Sequence, residues 1–111
     1  MQIGLNYKNK KFKLNVKVCN WAGRITGLMF TQREKAEALL FDFKKPVKYG
    51  FHSIFVFFPF IAIWLDDKNK IIDVKIVKPF KINFSPKQFF VRVIEIPMNK
   101  RYEEFVSSFC L

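Results

Sequence analysis

The chain has 111 residues, half of them hydrophobic and fifteen of them Phe, with 20 Lys+Arg against 9 Asp+Glu for a net charge of +11. Such a length and apolar content fit one domain with its own core, and they exclude a disordered chain or one that needs metal or disulfide staples. The charge is read as attracting polyanionic partners (nucleic acid, acidic protein or anionic lipid), the alternative being the codon bias of an AT-rich genome. Its distribution is uneven: residues 1–50 carry eleven bases and three acids, residues 51–111 nine bases and six acids.

Residues 1–11 bring Lys8, Lys10 and Lys11 with no acid and are read as a basic arm. Phe12, Leu14, Val16 and Val18 then alternate with Lys11, Lys13, Asn15 and Lys17, the period of a strand with one apolar and one lysine face. Outward neighbours on a strand lie about 6.6 Å apart, so these lysines form one cationic stripe. Cys19–Gly27 reads as a turn containing Trp21 and Arg24, and Thr31–Glu37 as one or two helical turns. Ala38–Phe43 is expected as a strand ended by a Lys44-Lys45-Pro46 turn, with Lys48 close by.

The block Phe51–Leu65 is almost uncharged. It falls short of the roughly 20 residues a membrane helix requires, and Pro59 interrupts it, so no membrane span is expected. His52–Phe58 is apolar on both alternating faces and its Phe/Val/Ile content predicts a buried strand. Ile61–Leu65 and Ile71–Val77 predict an antiparallel hairpin turning at Asp66–Lys70. Phe89–Ile96 is a further strand and Lys100–Phe109 a short helix. The fold class is therefore mainly β, a small single-domain barrel-like or sandwich fold over residues 1–111 with one or two short helices.

Catalytic signatures are sparse. His52 is the single histidine and reads as a structural side chain. Cys19 and Cys110 lack metal-ligand spacing and make no disulfide framework, which suits a reduced cytoplasmic protein. Asp66, Asp67 and Asp73 read as turn chemistry rather than a cation site. There is no phosphate-binding glycine loop and no zinc signature. No catalytic residue, metal or cofactor is expected.

Three segments in order carry a family resemblance: Arg24-x-x-Gly27-Leu28-Met29-Phe30, then His52-Ser-x-Phe55-Val-Phe-Phe-Pro59, then Trp64-Leu-Asp66. Lys78-Pro79-Phe80 and Val93-Ile-Glu95-Ile-Pro97 agree with them. In these residues the chain resembles the family called domain of unknown function 192, in particular its archaeal members. The resemblance implies a small β-rich, barrel-like domain with no established enzymatic activity. Two departures stand out: Ile61 lies where the family commonly has an Asp, and Asn99–Phe105 replaces its usual Gly-containing turn.

The expected function is a non-enzymatic RNA-binding module, a small ribosomal or ribosome-associated protein with ribosomal RNA and neighbouring ribosomal proteins as partners. Lys8, Lys10, Lys11, Lys13, Lys17, Arg24, Lys44, Lys45 and Lys48 would contact phosphates, and Trp21, with Tyr7 and Tyr49, would stack on unpaired bases. The alternatives are a small-ligand or enzymatic pocket around His52, Phe55 and Trp64, and an adaptor that docks on an acidic protein.

Overall fold

The computed structural model describes residues 1–19, 27–29, 31–81 and 83–108. Trp21, Arg24 and Cys110 lie outside the described residues. Among the described residues seven strands run in chain order: β1 Gln2–Tyr7, β2 Lys10–Asn15, β3 Lys17–Val18, β4 Leu39–Val47, β5 Phe60–Leu65, β6 Ile71–Val77 and β7 Phe90–Pro97. A 3₁₀ turn at Arg33–Lys35 precedes β4, and a second at Lys100–Tyr102 runs into helix α1, Glu103–Ser108. The fold is mainly β, as expected.

β1 and β2 form a two-stranded ribbon, and the other strands form a sheet ordered β3-β4-β7-β5-β6. β7 runs antiparallel to both of its neighbours, β4 and β5, and β3 adds to β4 in parallel. Chain 10–18 serves both sheets: Val16 donates to the Met1 carbonyl at 2.7 Å, and one residue on Lys17 donates to Ala38 at 2.8 Å. At the far edge Asn6 and Lys70 make a single parallel bridge. The two sheets thus curl toward one another without a closed ladder.

Each face of the central sheet has its own core because β5 is apolar on both faces. Ile61, Ile63 and Leu65 join Ile94, Ile96 and Leu40 beneath the ribbon residues Ile3, Leu5, Leu14 and Val16. Phe60, Ala62 and Trp64 join Val93, Phe41 and Leu39 on the opposite face, under Leu28, Val56, Phe58 and Phe84 from irregular segments. All six residues of β5 are buried.

The β5–β6 hairpin forms as expected, with Ile61 opposite Ile76 and Trp64 opposite Asp73. Its turn is closed by Asp66, whose Oδ1 accepts from the Lys68 and Lys70 N–H groups, both at 2.9 Å. Asn69 sits at φ 61°, a conformation asparagine tolerates well.

Four expectations are corrected. Residues 2–7, read as part of an arm, form β1, locked to β2 by a two-residue turn in which Lys8 (φ 49°) and Asn9 (φ 65°) both adopt left-handed backbone. The lysine strand is two strands in two sheets, divided at Val16. β4 does not end at Phe43: it continues through a bulge between Asp42 and Val47, where Lys44 takes φ 62° and Pro46 needs no ladder donor. His52–Phe58 is irregular rather than a strand. Phe55 lies at φ 70°, and the buried Ser53 ties the segment to the chain beyond β6, its Oγ donating to the Lys78 carbonyl (2.8 Å) and accepting from the Lys81 N–H (2.7 Å). Apolar content there reported burial under a loop, not strand period.

Candidate nucleic-acid interface and a carboxylate-bearing cavity

Three lysine-bearing segments meet at one end of the sheet. The β1–β2 turn carries Lys8, Lys10 and Lys11, the β5–β6 turn carries Lys68 and Lys70, and the β4 bulge carries Lys44 and Lys45, all exposed. Backbone contacts set the first two side by side: the Asn6 N–H donates to the Asn69 carbonyl at 3.3 Å. Arg92, near the start of β7, braces the second against the third. Its Nε donates to Asp42 Oδ2 at 3.2 Å, while an Nη donates to Asn69 Oδ1 at 2.9 Å. Lys8, Lys11, Lys68 and Lys70 line one shallow depression with Tyr7.

Two carboxylates at this end are used internally, while a third, Asp67, is exposed on the β5–β6 turn. Asp42 pairs with Arg92 and accepts the Lys44 N–H at 2.8 Å; Asp66 closes its own turn. Among the described residues the ion pairs are Arg92–Asp42 and Arg101–Glu37, so no lysine of this end is neutralised by a side-chain partner. Lys8 instead lies over the Tyr7 ring, 5.2 Å from its centroid.

Lys13 and Lys17 are placed differently. Both line an open groove with Glu37, Glu104 and Arg101, where acid and base are mixed. The expected single stripe is therefore split into an acid-poor end and a balanced groove. Lys48 follows β4 and is exposed beside Tyr49. Tyr49 is half exposed and packs on Phe43 with ring centroids 5.4 Å apart.

On the aromatic face a cavity of about 240 Å³ opens between the 27–29 and 49–52 segments. Gly27, Phe41, Phe43, Tyr49, Phe51 and Glu95 are among its lining residues. Glu95 lies on central strand β7 between Leu39 and Ala62, on the same face as Val93. It is buried, and no donor among the described residues bonds its carboxylate. Burial raises its carboxyl from the ordinary 4.5 to about 7. Gly27, at φ 51°, lets the backbone pass close by: a Cβ there would stand 3.3 Å from Glu95 Oε1.

The same surroundings push the Cys19 thiol up, first by burial and then by the Glu95 carboxylate, while Lys17 pulls it down. A thiol held protonated is a poor nucleophile. The expected pocket of His52, Phe55 and Trp64 does not assemble. His52 is exposed at the wall of the Glu95 cavity, Phe55 faces outward and Trp64 is wholly buried in the core. Among the described residues no group of three His, Cys, Asp or Glu side chains is arranged to hold a metal, and no helix is long and apolar enough to cross a membrane. Sequence reading treated Glu95 only as a landmark. The available signal was an acid in a run, Phe90–Pro97, that is apolar on both faces.

A curled, mainly β sheet with a lysine-rich end and a buried acid defines a small structural class, and the family can now be stated. Residues 4–103 match the family model domain of unknown function 192, described as "Uncharacterized ACR", and the chain belongs to that family. No curated protein matches the sequence significantly. Two solved structures share the fold. One is a protein of unknown function from Novosphingobium aromaticivorans, with a TM-score of 0.72 and 15% identity over 95% of this chain and 77% of that one. The other, from Sinorhizobium meliloti, is described as a candidate transcription regulator, with a TM-score of 0.73 and 14% identity over 93% of this chain and 82% of that one.

Proposed function

We propose that this protein is a non-enzymatic RNA-binding module, working in the cytoplasm as a ribosomal or ribosome-associated component. The observation that carries the reading is the convergence of Lys8, Lys10, Lys11, Lys44, Lys45, Lys68 and Lys70 at one end of the sheet while Asp42 and Asp66 are engaged internally. Unpaired ammonium groups on rigid turns release counterions from a phosphate backbone without reading its sequence. The braced backbone keeps their points of attachment at fixed separations, while the lysine side chains themselves are ordered only on binding. The Lys13–Lys17 groove, with its two glutamates, contributes less.

Titration of ribosomal RNA at several salt concentrations tests the reading. Changing Lys8, Lys10 and Lys11 together to Gln should weaken binding for every sequence and flatten the log–log salt slope by roughly 2 to 3 units. The Lys13/Lys17 double change should do less. Equal affinity in the triple variant and the wild type would overturn the assignment. Tight, salt-sensitive binding to an acidic protein with no RNA affinity would favour the adaptor reading instead, with Phe57 and Phe80, paired at 5.5 Å and exposed, as its apolar contact.

A further inference from the structure

The Glu95 cavity has the size of one planar heterocycle, with aromatic walls and a carboxylate at its base. A buried carboxylate that lacks donors is costly, and a ligand that supplies N–H groups removes the cost. The lysines at its border narrow the choice of ligand. Phe43 and Tyr49 line the cavity, and the residues next to them in the chain, Lys44 and Lys48, are exposed. That positive border disfavours an organic cation and suits a ligand that pairs an aromatic ring with a phosphate.

Among the nucleobases, guanine alone offers two adjacent N–H donors, N1–H and the exocyclic N2–H, on its Watson–Crick edge. These match the two oxygens of one carboxylate. Adenine and cytosine put a donor next to an acceptor, and uracil flanks one donor with two acceptors. We propose that the cavity receives a single unstacked guanine of the bound RNA, with Glu95 accepting from N1–H and N2–H, the aromatic wall covering the base, and Lys44 and Lys48 flanking its phosphate. This rests on the RNA-binding reading and adds base selectivity to it. Gly27 contributes by leaving the space beside Oε1 free of a side chain.

Calorimetric titration of the full chain with GMP, IMP, AMP, CMP and UMP tests this at pH 8, above the value of about 7 to which burial raises Glu95. GMP should bind on the order of tenfold or more tighter than AMP, CMP or UMP, and IMP, which lacks N2–H, should fall between. Glu95→Gln should abolish the preference for GMP and should weaken guanine-containing RNA more than guanine-free RNA. Tyr49→Ala, at a half-exposed site that the fold does not depend on, should weaken GMP roughly tenfold through lost stacking. It keeps the question decidable if Glu95→Gln fails to fold.

Equal binding of the four nucleotides, or a GMP preference that survives Glu95→Gln, overturns the guanine site while the lysine-end reading stands. Loss of all RNA affinity in the wild type overturns the lysine-end reading. A GMP preference that remains in that case upholds the cavity assignment by itself.

Discussion

The two faces of the central sheet are built to different standards. The face beneath the β1–β2 ribbon is aliphatic, and regular elements cover it; the hydroxyl of Tyr102 there accepts the Ala38 N–H at 2.7 Å. The opposite face is aromatic and covered by irregular segments. It holds a cavity, an acid without a donor and a Trp64 Nε1 that has no partner among the described residues. Strand and helix covers let branched aliphatic side chains interdigitate, whereas loops over flat rings leave gaps. The difference teaches that one sheet supports a closely covered side and a side that keeps a cavity.

The strongest way to break this comparison is truncation. Ile94→Ala on the aliphatic face, where the side chain is wholly buried, should cost about 4 kcal/mol. Phe43→Leu, beside the cavity, should cost less than half as much. Equal urea midpoints for the two variants would dissolve the contrast between the faces.

Next in size is the acid. The folded Glu95 carboxyl titrates near 7 and its ordinary value is 4.5. Between those values the native state holds a proton that the unfolded chain has released, so this group's contribution to stability is fully present below 4.5, falls as pH rises to about 7, and is flat above. The whole span is about 3 kcal/mol. Glu95→Gln should remove that slope and raise stability at pH 8 relative to wild type, as followed by urea denaturation across pH 4 to 8. A wild-type curve that rises over this range, with the variant parallel to it, would remove the buried acid from the account.

Tyr102→Phe should cost about 1–2 kcal/mol by orphaning the Ala38 N–H, and amide hydrogen exchange at Ala38 should accelerate. Smallest of all, the Lys8/Lys10/Lys11 change to Gln should move stability by less than about 0.5 kcal/mol, since these side chains are exposed. A thermal scan checks this, and a large loss would mean that the ribbon turn itself holds the aliphatic side together.

Legibility in the sequence followed the same division. The β5–β6 hairpin could be read because β6 alternates, β5 is a short apolar run and the connector is polar. β7 and α1 were legible for similar local reasons. β1 was missed although Ile3, Leu5 and Tyr7 alternate just as β2 does, because the lysines drew the reading toward an arm. His52–Phe58 misled because a run that is apolar throughout carries burial without period. The lysines were legible as charge, but their gathering depends on Arg92 and on Asn6–Asn69, contacts between residues far apart in the chain. The cavity was not legible at all, since its walls come from segments around residues 27, 41, 50 and 95.

Strand β7 sits at the middle of the five-stranded sheet and follows every other strand in the chain. During synthesis β4 and the β5–β6 hairpin therefore emerge with the ladder edges that β7 will later occupy still open, and β5 exposes apolar residues on both faces. Open apolar edges recruit other chains. The nascent protein accordingly passes through an interval of high aggregation risk that ends only when residues 90–97 insert between the two halves. Sluggish production of this chain would then be a matter of timing in assembly rather than of weakness in the finished fold.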